Sequence, residues 1–364
     1  MEISPVGFVG RVPIRNIWLL MLYASDIYRI RGMGYYGVEE NPDDIPDLIA
    51  ELLVGTVERR LMRNLSAGYR MTDAITSRVR GRIDLLRTES HQLLRRAKVA
   101  CHYEELTIDT PRNRYVRAAL QRLTQIVRTD RIRIKCSALS ARLTALGVTG
   151  PKPELIELST ETFGRNDVAD KTMISLARLA FDLALPLESS GVYALNATER
   201  EERWLQKLFE RAVGGFYSQA LERSVWNVQC GKKLTWNIAD KTSAIDDIMP
   251  SMKTDIFLEN KASNNWIIID TKFTDIVTSG WYREKSLKSG YVYQIYAYLR
   301  SQENQDIPPS MNSTGILLHP VIDTIYDEAI ILDGHRIRFM TVNLAGKATE
   351  IRSDLLKCVV LNTA

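Results

Sequence analysis

MKTDIFLENKASNNWIIIDTKF, residues 252–273, sets a carboxylate ahead of one apolar run, then a polar loop, then Asp270-Thr271-Lys272 closing a second apolar run. Trp266-Ile267-Ile268-Ile269 is short and β-branched, the composition of a buried strand. Side chains alternate across a strand, so Asp270 and Lys272 are expected on one face. Asp255 opens the earlier run, Ile256-Phe257-Leu258, and antiparallel pairing of the two runs would bring its carboxylate beside Asp270. Two acids from neighbouring strands suit Mg²⁺, which is held by one or two carboxylates with the rest of its shell left to water and phosphate. Lys272 would then orient a water or offset charge on a phosphoryl transition state. An acid-x-Lys tripeptide is common by chance. Glu259-Asn260-Lys261 is a second one, but it falls in the polar, Asn-rich segment 259–265, which reads as the hairpin loop. On residue types alone, two strand-end caps and a solvated lysine stay open as the alternative.

Outward from this stretch, residues 198–221 have helical spacing, with Leu205, Phe209, Ala212 and Phe216 as the apolar stripe. Glu202 precedes Leu205 by one turn, so it is a candidate third carboxylate, with Glu210 a weaker one; an acid in the first turn of a helix is the plain alternative. Residues 289–300, SGYVYQIYAYLR, read as a helix in which Gln294 and Tyr298 share a face and can hydrogen-bond a phosphate or the lysine. Simple packing of a Tyr-rich helix would give the same pattern. Strand-like runs follow at 315–319, 329–332 and 337–344, and His319, before Pro320, is expected to end its strand. The order helix, hairpin, helix, strands describes a mixed α/β (α+β) domain.

The first part of the chain reads as mostly helical with some strand. Helices are expected over 45–64, 113–127 and 171–185, and a glycine-interrupted strand over 77–85. Breakers gather at 147–153, 163–166 and 187–193, which sets the expected domains at 1–186 and 187–364. The net charge of +4 is unevenly spread: residues 51–150 carry twenty Lys and Arg against nine Asp and Glu. That excess suits phosphate, an acidic partner or a solvated face. Four scattered cysteines without a CxxC pair suit a reducing cytoplasm. The apolar run 17–24 is too short to span a membrane, and no G-x-x-x-x-G-K-[ST] phosphate loop occurs, so nucleotide hydrolysis by this chain alone is not expected.

Several motifs in order resemble the McrC subunit family of 5-methylcytosine-dependent restriction systems. They are Val12-Pro13-Ile14-Arg15-Asn16-Ile17-Trp18-Leu19-Leu20-Met21-Leu22-Tyr23-Ala24, Arg80-Gly81-Arg82-Ile83-Asp84, the helix from Asn113, Met252-Lys253-Thr254-Asp255-Ile256, Asp270-Thr271-Lys272, Tyr293-Gln294 and Thr341-Val342-Asn343-Leu344. The resemblance implies a C-terminal PD-(D/E)xK nuclease with Asp255 and Asp270 on Mg²⁺, Lys272 catalytic, and Gln294 and Tyr298 similar to the Q-x-x-x-Y helix of RecB-like nucleases. It implies a partner as well, a ring-forming McrB-like AAA+ GTPase hexamer that reads methylated double-stranded DNA. The N-terminal domain would enter that ring and stimulate GTP hydrolysis, with Arg15, Arg80 and Arg82 as arginines to test. A non-catalytic activator of the GTPase and a free-standing RecB-like repair nuclease are the competing expectations.

Overall fold

The computed structural model describes residues 8–9, 11–31, 42–159, 168–189, 197–236, 238–278, 285–321 and 324–360. The chain forms two compact units, Met1–Ile45 with Asp182–Ala364, and Pro46–Phe181. This differs from a single division at 186, because the first 45 residues belong with the C-terminal part. The breakers at 163–166 and most of those at 187–193 lie outside the described residues.

Helix α1, Ile14–Ala24, is buried at every position described except Arg15. A helix hydrophobic all round needs neighbours on all sides. Trp18 donates from Nε1 to the Leu183 carbonyl at 2.9 Å, and the buried Asn16 donates from Nδ2 to the carbonyls of Leu344 at 2.7 Å and Gly346 at 3.0 Å.

The 46–181 unit follows. Helix α2, Ile45–Met62, leads into a three-stranded antiparallel sheet in which β3, Val99–Thr107, lies between β1, Gly68–Thr76, and β2, Arg82–Ile83. The expected strand over 77–85 is only Arg82–Ile83. Residues 77–81 form bends and irregular backbone, with Gly81 at φ 61°, a left-handed conformation that suits glycine. Helix α3, Leu85–Ser90, is capped by Asp84, which accepts from the Arg87 backbone N–H at 2.9 Å. Helices α4, Pro111–Leu123, and α5, Asp130–Ala145, pack together. Helix α6, Val168–Ser189, carries the chain back to the first unit.

In that first unit, α7, Ala197–Ala220, precedes a six-stranded mixed sheet. Its strands are β4, Trp226–Cys230; β5, Ile256–Asn260; β6, Asn265–Thr271; β7, Thr314–Pro320; β8, Asp327–Leu332; and β9, His335–Val342. The spatial order is β8-β9-β7-β6-β5-β4, with β6, β7 and β9 parallel and the outer pairings antiparallel. Ile267, Ile268 and Ile269 are fully buried, so β6 is covered on both faces and carries an unbroken apolar run. The hairpin loop is shorter than 259–265: Glu259 and Asn260 stay in β5, and the Asn260 side chain accepts from the backbone N–H groups of Ala262 and Ser263. Helix α8, Ser289–Ser301, covers one sheet face, where Ile295, Tyr298 and Leu299 join Phe257, Ile268, Leu317 and Phe339 in one core. Helix α9, Ala348–Val359, follows β9, and Tyr217 of α7 donates to its Leu355 carbonyl at 2.7 Å. Among the described residues no helix is long and apolar enough to cross a membrane.

Two glycines set the close approaches. A Cβ on Gly315 of β7 would lie 2.7 Å from Ile295 and 2.9 Å from Leu299, so α8 sits directly on the strand there. A Cβ on Gly215 of α7 would lie 1.9 Å from the Tyr23 backbone oxygen, so α1 crosses α7 at backbone contact. Main chain cannot give way as a side-chain tip can. Gly215→Ala is therefore expected to cost about 1–3 kcal/mol or more, read as a lower urea midpoint; an unchanged midpoint would remove the close crossing as a determinant of stability.

Candidate active site

The site is built at the carboxyl end of β6. Asp270 pairs with Leu317 in register, and Lys272, one residue past the strand, donates its backbone N–H to the Leu318 carbonyl at 2.9 Å. The 256↔269 pairing ends the β5–β6 ladder, which puts Asp255 one step beyond, on the side of Asp270. Its Oδ2 accepts from Thr271 twice, from the backbone N–H at 2.7 Å and from the hydroxyl at 2.8 Å. The two acids are thus joined through the residue between Asp270 and Lys272.

Asp270 is 2% exposed. Burial pushes its carboxyl up to about 6, the Asp255 and Glu210 charges push the same way, and the Lys272 ammonium only partly opposes them. Lys272 Nζ stands 2.7 Å from Asp270 Oδ2 and donates to Gln294 Oε1 at 3.0 Å. Gln294 in turn donates from Nε2 to the Tyr298 hydroxyl at 2.7 Å, and burial raises that phenol above its ordinary range. The strand pair and α8 therefore bring together Asp255, Asp270, Lys272, Gln294 and Tyr298. The rival Glu259 points elsewhere, accepting from Asn227 at 3.0 Å.

The third carboxylate is a matter of position along α7. Glu202 is exposed. Glu210, two turns on, is half-buried, and its carboxyl is raised by burial and then by the Asp255 charge, with Lys253, Lys207 and Lys272 opposing. Glu210 shares the electrostatics of the site. Arg15 is exposed at the start of α1; Arg80 and Arg82 are exposed in the other unit, where Arg80 lies 5.7 Å from the Tyr103 ring centroid.

Two aromatic residues lie beside the site: Tyr291, which the sequence did not single out, and His319, expected only to end its strand. The Tyr291 ring centroid lies 4.9 Å from Lys272 Nζ, and the His319 ring is 6.0 Å from that of Tyr291. The signal for Tyr291 was its spacing, three residues before Gln294 and so on the same helical face. His319 does stand at the end of β7 as expected.

Among the described residues no group of three His, Cys, Asp or Glu side chains is arranged to hold a metal. A two-carboxylate site is the form that Mg²⁺ accepts, since it dehydrates reluctantly and takes remaining ligands from water and phosphate. Asp270 Oδ2 is buried without a hydrogen-bond donor beyond its ion pair with Lys272. An ionised carboxylate keeps lone pairs beyond one lysine contact, which a hard cation can take.

The family model of the McrBC 5-methylcytosine restriction system component matches residues 1–308. The chain is 23% identical over 348 residues to the type IV methyl-directed restriction enzyme EcoKMcrBC of Escherichia coli (strain K12), covering 95% of this chain and 96% of that one. Two solved structures from Thermococcus gammatolerans are also similar. One, a half-complex from a tetradecameric assembly of McrB AAA+ hexamers with bound McrC, shares 15% identity at a TM-score of 0.43 and covers 95% of this chain and 76% of that one. The other, the McrBC complex, shares 16% identity at a TM-score of 0.33, covering 50% and 60%. Both structural likenesses are loose; the match that spans residues 1–308 makes this chain a member of the McrBC 5-methylcytosine restriction system component family.

Proposed function

We propose that this chain is the nuclease subunit of a modification-dependent restriction system, hydrolysing phosphodiester bonds of duplex DNA with Mg²⁺ when assembled with an McrB-like AAA+ GTPase ring whose GTP hydrolysis it stimulates. The observation that carries the reading is the bridging of Lys272 between Asp270 at 2.7 Å and Gln294 at 3.0 Å, beside Asp255. Asp255 and Asp270 would hold the metal, with Glu210 close enough in charge to bias it. When bound, Mg²⁺ supplies Lewis acidity at the phosphoryl oxygen and lowers the pKa of a water. Lys272, fixed by its two partners, presents an ammonium to charge that develops on the phosphoryl group. Gln294 and Tyr298 keep that ammonium from swinging out. Membership of the McrBC restriction system component family supports a ring-bound role for this chain.

The 46–181 unit is the part we assign to the ring. Exposed apolar side chains stand at two places in it: Tyr69, Met71 and Leu106 on β1 and β3, and Leu85 with Leu86, 84% exposed, at the start of α3. Apolar surface of this kind marks a contact site, and Arg80 and Arg82 are exposed beside it in sequence.

The energetics of Asp270 also favour a working role. A folded-state value near 6 against about 4 in the unfolded chain means the fold binds that proton more tightly. The stability this provides is full below pH about 4 and is lost as pH rises through 6, so the ionised carboxylate costs on the order of 3 kcal/mol at neutral pH. A group that destabilises its own fold at working pH is a mark of functional sites.

Three results are expected. With the cognate GTPase present, Asp270→Ala and Lys272→Ala each lower cleavage by at least about a hundredfold while stimulated GTP turnover persists; a variant that cuts at the wild-type rate would make the site assignment wrong. Cleavage by the isolated chain without GTP would favour a free-standing nuclease instead. In metal-free buffer at pH 8, Asp270→Asn unfolds at higher denaturant than wild type, and the gap closes below pH 6; a variant less stable than wild type at pH 8 contradicts the charge argument. Leu86→Glu combined with Arg82→Ala weakens stimulation of the GTPase by about tenfold or more in a protein of wild-type melting temperature, and full stimulation would move the contact elsewhere.

A further inference from the structure

Lys272 has partners on three sides. Asp270 and Gln294 take its ammonium by polar contact, at 2.7 and 3.0 Å. The third is the Tyr291 ring, whose centroid is 4.9 Å from Nζ, inside the range where an ammonium is attracted to an aromatic face. Tyr291 sits in the first turn of α8, and the spacing to Gln294 puts both on one helical face. The helix thus meets the same ammonium twice, once with an amide and once with a ring.

The ring is itself supported. His319 is 1% exposed, its ring lies 6.0 Å from that of Tyr291 at a 46° tilt, and its Nδ1–H donates to the Thr274 carbonyl at 2.8 Å. That bond ties the end of β7 to the segment just after Lys272. Burial lowers the imidazole to about 4, and the charges of Lys272 and Lys288 add to the effect, so His319 is neutral at physiological pH and brings no further cation to the cluster. Lys288 does bring one: its Nζ lies 5.4 Å from the centroid of the same ring. Two ammonium groups around one aromatic ring repel each other, and the negative face of the ring offsets that repulsion.

We propose that Tyr291 is a positioning residue for Lys272, its ring face holding the ammonium against Asp270 while His319 braces the ring. Resting on the nuclease reading above, the inference adds a part to its machinery, because the Asp270 and Gln294 contacts alone leave the side of the ammonium toward Tyr291 uncovered. A lysine has a long flexible stem, and a cation without this face would spend much of its time away from the reacting phosphoryl group.

The test uses the full chain with its cognate GTPase ring and a methylated duplex, measuring kcat and KM for DNA. Tyr291→Phe keeps the ring and is expected to cut within about twofold of wild type. Tyr291→Leu removes it and is expected to lower kcat about tenfold, the loss appropriate to a partly desolvated cation–π contact, with KM for DNA and GTP turnover unchanged. Should the leucine variant fold poorly, Tyr291→Met against Tyr291→Phe gives the same comparison. Wild-type kcat without the ring overturns the proposal. So does a phenylalanine variant as slow as the leucine one, since the hydroxyl would then be the working group. A general rise in KM or a loss of GTPase stimulation would assign Tyr291 a structural role and equally sink it. Failure of the wild-type complex to cut at all would instead count against the nuclease reading.

Discussion

An ion pair between a nearly fully buried carboxylate and a lysine, Asp270 with Lys272 at 2.7 Å, is the constraint around which the first unit is arranged. Taking both charges out of water costs several kcal/mol per ion unless geometry and further hydrogen bonds repay it. On Asp270 the repayment is incomplete, which is why its carboxyl is pushed up to about 6. On Lys272 it is shared among Gln294, the Tyr291 ring and Asp270 itself. Replacing such a pair with apolar residues is often neutral or stabilising. Its presence at the end of the buried strand β6 is therefore not explained by stability alone.

The surrounding packing follows from the need to hold those partners still. Gly315 lets α8 lie against β7, and only at that separation can Gln294 reach the lysine while Ile295 and Leu299 fill the core below it. On α7, Gly215 lets α1 cross at backbone contact, and Asn16 fastens α1 to the segment following β9. Because Glu210 lies on that same helix, a little over one turn before Gly215, the N-terminal segment helps fix the acid whose charge is felt at Asp255 and Asp270. Helix α1 is accordingly part of the scaffold under Glu210 by packing, although the chain order suggested otherwise.

The strand carrying Asp270 was legible because its signal is local: three isoleucines in succession can be little but a strand covered on both faces, and alternation then places Asp270 and Lys272 together. The helix with Gln294 and Tyr298 was legible for the same reason. What sequence could not carry was long range. Asn16 meets its partners 328 and 330 residues away, and the parallel neighbour of β6 begins more than forty residues after it. Strand β1 escaped because its side chains are half or fully exposed on both faces, and β3 because its two buried residues, Ala100 and Cys101, are adjacent and so give no apolar alternation to read. Glu202 and Glu210 both fall near the apolar stripe of one helix, so periodicity alone could not separate the exposed acid from the one near the site.

Charge in the 46–181 unit shows how structure changes the meaning of a composition. The arginine excess over residues 51–150 suited phosphate, an acidic partner or a solvated face; most of these arginines are exposed, and a smaller set is engaged internally. Arg60 and Arg112 meet the fully buried Asp170, and Arg114 binds Asp109, whose carboxylate also accepts from the backbone of Thr149 and Gly150. Arg117 donates to the Gly150 carbonyl at 2.6 Å. These arginines hold helices and loops together and cannot also serve a partner. Arg80 and Arg82 differ, being exposed on either side of Gly81, whose left-handed conformation would press a Cβ to 2.5 Å from the His102 carbonyl. A left-handed position that suits glycine, with an exposed arginine on each side and exposed leucines just beyond in sequence, directs charge outward from a fixed frame.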